Sequence, residues 1–192
     1  LNGGPGAPAF AFVARRHHDG LRSPLCGWMG HAVPFDFDPC YRPAPGVARL
    51  LVGTPPILSL AALECGVVSV AEIGVERLRA KSIALTELFV GLAERECHGH
   101  GLGLGSPRDP ARRGSQVALH HPEGYAVMQA LIAAGVIGDF RPPDLMRFGF
   151  APAYLRFVEV WDAVARLREI LETRRWDRPE HRARRKLKRD AG

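Results

Sequence analysis

Apolar positions run almost unbroken from Ile57 to Val70, interrupted by Glu64 and small residues, and this predicts a helix buried on all sides. From about Glu72 to Glu96 the period becomes amphipathic. Val75, Leu78, Leu85, Leu88 and Leu92 fall on one stripe, with Arg79, Lys81 and Glu87 opposite. Beyond it the pattern predicts a glycine-rich strand near 101–105, a strand from about 115 to 120, and a helix opened by Pro122 and stopped at Gly135. Two short strands follow, around 136–140 and 145–150, then a helix with Phe157, Trp161, Val164, Leu167 and Leu171 inward. Upstream, residues 9–14 (Ala-Phe-Ala-Phe-Val-Ala) read as one strand of a larger sheet. Strands and helices mixed in this way after one long helix predict an α+β small domain.

At 192 residues and 46% hydrophobic, the chain can bury one core, divided between part of one domain and the whole of another. The apolar run from Ile57 is too short to span a bilayer, and no leader pattern opens the chain, so a cytoplasmic protein without membrane attachment is expected. The four cysteines, at 26, 40, 65 and 97, show no paired spacing and read as free thiols. Cys97-His98-Gly99-His100 lacks a second ligand pair at finger-like distance, so no metal is expected. Gly101, Gly103 and Gly105 are not a dinucleotide fingerprint, because Pro107 and Pro110 stand where its helix must begin.

The net charge of +6 is unevenly placed. Residues 174–190 hold nine Lys/Arg against three Asp/Glu, whereas the preceding residues are balanced. Arg182, Arg184, Arg185, Lys186, Lys188 and Arg189 could bind an anionic partner electrostatically. With no aromatic residue interleaved beyond Trp176, the expected reading of residues 174–192 is a disordered, solubilising end, and nucleic acid is not the expected partner.

Two segments carry candidate chemistry. In Gly53-Thr54-Pro55-Pro56, Thr54 is placed to cap the apolar helix, with Pro55 at its first position. Its hydroxyl and amide could serve one phosphate oxygen at a helix N-terminus, although such caps are common without any ligand. In Gly27-Trp28-Met29-Gly30-His31 the flanking glycines imply a tight, exposed turn. From it the Trp28 indole N–H could donate to an anion, or Trp28 could simply be a half-buried loop aromatic. The prolines at 34, 39, 43 and 45 make the intervening segment an irregular loop able to bring Trp28 and Thr54 to one ligand. The chain's three lysines are Lys81, Lys186 and Lys188, and Lys81 reads as a solvated helix charge. No reactive amine accompanies the two donors.

These segments, together with Leu1-Asn2-Gly3-Gly4-Pro5-Gly6, Gly53-Thr54-Pro55-Pro56-Ile57-Leu58 in full, Arg113-Gly114-Ser115-Gln116-Val117, His121 to Tyr125, Ile137-Gly138-Asp139-Phe140-Arg141 and Arg147-Phe148-Gly149-Phe150, resemble the C-terminal portion of the kynureninases up to about Trp176. The resemblance implies an α/β fold of the fold type I pyridoxal-phosphate transferase-like class. Residues 1–71 would be the end of its cofactor-binding large domain, 72–173 the long helix and α+β small domain, and 174–192 the basic tail. It also implies pyridoxal 5'-phosphate as cofactor, hydrolysis of L-kynurenine or its 3-hydroxy relative to anthranilate-type product and L-alanine, and a homodimer.

Carried onto matching positions, the resemblance places Trp28 and Thr54 on the cofactor phosphate and Arg147 on the substrate α-carboxylate, which a planar guanidinium matches with two parallel hydrogen bonds. In that family the Schiff-base lysine lies just upstream of the Leu-Asn-Gly-Gly segment. No catalytic residue is therefore expected within this chain, which reads as a truncated piece inactive alone. Two rivals stand beside this reading. One is a non-catalytic binding module with a basic, anion-binding tail, and the other is a fold type I aminotransferase or desulfurase.

Overall fold

The computed structural model describes Gly4 and residues 6–183; Leu1, Asn2, Gly3, Pro5 and residues 184–192 lie outside the described part. Two compact units divide the chain, one ending at Glu72 and the other beginning at Ile73.

The first unit is mostly irregular, and its one long element is helix α1, Ile57–Ile73. The helix forms as its composition predicts, but no residue of it is buried, and Leu58 is 87% exposed. The buried helix expected from its apolar run is, in this unit, an exposed one. Apolar content decides that the segment avoids turns, but burial needs a partner element, and this unit offers α1 none. Residues 9–14 likewise form no strand, and Phe10 and Phe12 are exposed. A strand exists only through ladder partners, and the described residues supply none here.

The second unit is built on helices α2 (Val75–Glu96), α3 (Gly124–Ala133) and α4 (Phe157–Glu172), with a four-stranded antiparallel sheet of β1 (Gly103–Leu104), β2 (Gln116–His120), β3 (Asp139–Arg141) and β4 (Leu145–Gly149) in the order β1-β2-β4-β3. Gly74, at φ 86°, ends α1 and opens α2, a conformation that favours glycine. Val117 and Leu119 of β2 and Met146 and Phe148 of β4 face one way into a core shared with Leu85, Phe89 and Leu92 of α2, Val127 and Leu131 of α3, and Val160, Val164 and Leu167 of α4. Phe89 is the hub of this core, with ring centroids 4.9 Å from Phe148 and 5.1 Å from Phe150. The helices therefore cover one face of the sheet, as an α+β layer requires.

Helix phases differ from the expected stripes. On α2 the buried positions are Ser82, Leu85, Thr86, Phe89, Val90, Leu92 and Ala93, while Val75 is exposed. Ser82 and Thr86 enter the core because their hydroxyls are satisfied, Ser82 against the Ser115 hydroxyl at 2.7 Å and Thr86 by donating to the Ser82 carbonyl at 2.9 Å. On α4, Val160, Val164, Leu167, Ile170 and Leu171 turn inward, and Phe157 and Trp161 stay half-exposed. Lys81 is partly exposed. Its charge lies near Glu159, whose carboxyl is held low first by the Arg156 amide and guanidinium and to a smaller degree by Lys81.

The expected disordered end does not hold for residues 174–183. They form a turn at Arg175–Asp177 and a short helix α5, Pro179–Arg182, packed on α3. Trp176 is buried there, edge-on to His121 at 6.1 Å, with the guanidinium carbons of Arg174 and Arg182 each 5.3 Å from its ring. Asp177 accepts from Arg174 at 2.9 Å and Arg182 at 2.7 Å, so these cations are spent on internal pairing. Of the candidate anion-binding residues only Arg182 is described; Arg184, Arg185, Lys186, Lys188 and Arg189 lie outside the described residues.

His121 is buried beside Trp176 and accepts from the Glu123 amide at Nδ1 (3.0 Å) while donating from Nε2 to the His100 carbonyl (3.1 Å), a neutral tautomer. Burial is the main reason its pKa falls below the ordinary value of 6.5. The unfolded chain thus binds this proton first as pH falls, so the stabilisation is complete above 6.5 and is lost progressively below it. Melting temperature is expected to drop from about pH 7.5 to about pH 5.5, roughly one unit either side of the ordinary histidine value, and His121→Gln should flatten that drop.

Candidate functional site

In the first unit the Trp28 turn is a single 3-10 turn, Trp28–Gly30. Its geometry depends on a contact. Gly27 has extended backbone that any residue adopts, but a Cβ there would lie 1.7 Å from the Val52 carbonyl oxygen. The turn is thereby seated on the stretch of chain that reaches Thr54 two residues later. The Tyr41 hydroxyl donates to the Gly30 carbonyl at 2.9 Å. His31 accepts from the Val33 amide at 3.0 Å and donates to the Cys40 carbonyl at 3.2 Å. Arg49 donates to the carbonyls of Ala44 (3.0 Å) and Leu21 (2.7 Å). Trp28 stands half-exposed, edge-on to Phe35 at 5.7 Å, over an open groove of about 390 Å³ shared with His31, Phe37 and Tyr41.

Thr54 does not cap α1. The helix begins at Ile57, and its first backbone bond runs from the Leu60 amide to the Pro56 carbonyl at 2.9 Å. The cause is the second proline. A residue before proline is pushed out of the helical region, so Pro56 keeps Pro55 extended and delays the helix start. Thr54 is left exposed, its hydroxyl uncommitted to the helix.

Arg147 lies on β4, on the sheet face away from the core, directly opposite Asp139 of β3 in the register. Its Nε donates to Asp139 Oδ1 at 2.7 Å and its Nη2 to Asp139 Oδ2. Arg141 adds a second cation, its Nη2 3.4 Å from the same carboxylate. Hydrogen bonding from Arg147, with a smaller contribution from Arg141 and against some desolvation, holds Asp139 below the usual carboxylate range. Arg147 is thus not a solvated surface arginine but a guanidinium with one edge taken. Gly138 fixes the spacing, since a Cβ there would lie 2.7 Å from the Arg147 carbonyl oxygen and as close to the Met128 side chain.

Sequence reasoning passed over Asp139 as a partner. The signal was available, because Asp139 and Arg147 are equidistant from Pro143 in a hairpin, and equidistant residues face each other. It also passed over Tyr41 and Arg49, whose bonds to backbone carbonyls leave no periodic trace. Among the described residues no group of three His, Cys, Asp or Glu side chains is placed to hold a metal ion, and Cys97 is buried with its thiol pushed up to about 11, chiefly by desolvation. No single helix among them is long and apolar enough to cross a membrane.

The sequence profile of the kynureninase C-terminal domain matches residues 78–167. A protein named kynureninase from Burkholderia mallei (strain SAVP1) is 53% identical over 180 residues, covering 94% of this chain and 43% of its own length. One of the same name from Pseudomonas fluorescens is 53% identical over 176 residues, covering 92% of this chain and 42% of its own. Among solved structures, a cysteine desulfurase from Thermococcus onnurineus NA1 superposes with a TM-score of 0.68 at 17% identity over 84% of this chain and 42% of that one. A mutant of C-DES with glycine covalently linked to its PLP cofactor does so with 0.65 at 18% identity over 82% and 40%. The two structures establish the fold, a portion of the fold type I architecture.

Proposed function

The chain belongs to the kynureninase family, and we propose that it supplies the C-terminal part of a pyridoxal-phosphate enzyme that hydrolyses L-kynurenine, or its 3-hydroxy relative, to the corresponding anthranilate and L-alanine. The chain spans 43% of the length of its Burkholderia mallei relative, so the complete activity is a property of a larger polypeptide in this reading. The same reading makes the working enzyme a cytoplasmic homodimer.

The observation that carries the proposal is the seating of Gly27 on Val52, which puts a half-exposed tryptophan and an exposed threonine on neighbouring stretches of one unit. Two neutral donors suit a phosphate, and Asp38, the carboxylate lining the same groove, is held by the Cys40 amide at 2.8 Å and by Arg42 at 3.3 Å. Trp28 and Thr54 would hold the phosphate of the cofactor, and Arg147 would bind the α-carboxylate of kynurenine and set the orientation of its α-carbon. When bound, pyridoxal phosphate supplies the conjugated ring that withdraws electrons from that carbon. Lys81, half-buried beside Glu159 on the second unit, is not the amine of this reading. A desulfurase or aminotransferase is the weaker alternative, because likeness to the desulfurase is 17% in sequence where likeness to the kynureninases is 53%.

The test is a chimaera in which these residues replace the matching segment of the Burkholderia mallei protein. Release of fluorescent anthranilate from kynurenine, with no sulfide from cysteine, is the expected outcome; sulfide release without anthranilate overturns the assignment. In the same chimaera Gly27→Ala is expected to weaken cofactor retention by about tenfold or more, since a Cβ cannot share space with a backbone oxygen and the turn must lift away. Equilibrium dialysis against pyridoxal phosphate measures it.

A further inference from the structure

We infer that Asp139 is a positioning residue for Arg147, holding the Nε–Nη2 edge of the guanidinium so that its Nη1–Nη2 edge is presented to the substrate carboxylate. This rests on the reading that Arg147 takes that carboxylate. A guanidinium has two forks that can each grip a carboxylate, one formed by Nε with one terminal nitrogen and one formed by the two terminal nitrogens. Asp139 fills the first, and among the described residues Nη1 has no partner. The pairing is set by backbone, since the two residues are opposite each other in the β3–β4 ladder and Gly138 leaves no slack between the strands. Charge agrees with geometry. Arg141, Arg147 and Asp139 together carry one net positive charge, which one incoming carboxylate neutralises. A carboxylate competing for the same fork would instead have to be displaced before substrate could bind.

Asp139→Asn tests this in the chimaera. Its KM for kynurenine is expected to rise about tenfold with kcat changed less than about threefold, because an amide accepts from one guanidinium N–H but confronts the other with a donor. Asp139→Glu should recover part of the loss. The pair is half-exposed, so the melting temperature of both variants should stay near that of the parent. A KM that falls marks Asp139 as a competitor, and an unchanged KM makes it structural; either overturns the inference.

A second readout does not need turnover. In protein carrying 15N-labelled arginine, the Arg147 Nε–H resonance should persist when L-alanine is added while the Nη resonances shift. Loss of the Nε–H signal on adding alanine also overturns the inference. If the parent chimaera fails to cleave kynurenine while alanine still moves only the Nη signals, the functional reading falls and the positioning role stands.

Discussion

Arg147→Ala, introduced into the chimaera, is expected to raise the KM for kynurenine about a hundredfold, or ~3 kcal/mol, the scale for removing one partner of a desolvated, doubly hydrogen-bonded charge pair. Arg147→Lys should fall between, because an ammonium keeps the charge and loses the planar fork. Folding should be nearly untouched. The variant leaves Asp139 about half in water with Arg141 still beside it, and ion pairs so placed contribute between about zero and 1 kcal/mol. Steady-state kinetics together with a thermal melt separates the two effects, and an unchanged KM would remove Arg147 from the substrate site.

Trp176→Ala is expected to destabilise the second unit by about 3 kcal/mol, the low end of the range for deleting a large buried aromatic. For a unit of this size the melting temperature should fall by about 10 °C. The indole covers His121, lies against α3, and is flanked by two guanidiniums, so its loss exposes apolar surface and removes both cation–π contacts at once. Arg182→Ala should cost about 1 kcal/mol, since its bonds to Asp177 and Glu123 are partly in water. Urea unfolding of the two variants side by side distinguishes a tail that is part of the fold from one that only rests on it.

Charge conceals the order of residues 174–183, because a charge count averages over a single aromatic. Trp176 is buried beside His121 and against α3, and Asp177 and Glu123 pair with cations that composition counts as free. Punctuation was read far better. Gly135, at φ 87°, ends α3 where the sequence places a stop, and two short strands follow it, although β3 begins at Asp139 and not near 136. Helical phase was harder, because a stripe defined by leucines omits Ser82 and Thr86, whose hydroxyls are bonded and therefore cheap to bury. At the helix starts the stripe also admits Val75 and Phe157, which stay exposed.

Trp28 and Thr54 enter the candidate site from their local motifs and Arg147 from the resemblance alone, yet the sequence gives Thr54 a cap it does not make and gives Arg147 no internal partner. Both differences arise from backbone. A second proline moves a helix start by two residues, and a hairpin register places an acid opposite a base.

The greasy helix α1 has a practical consequence. Each leucine or valine it leaves in water forgoes about 1.5–3 kcal/mol that burial would return. A cell making these 192 residues without a covering partner would present chaperones with an adhesive cylinder, and a biochemist concentrating them would meet self-association well before reaching crystallisation strength.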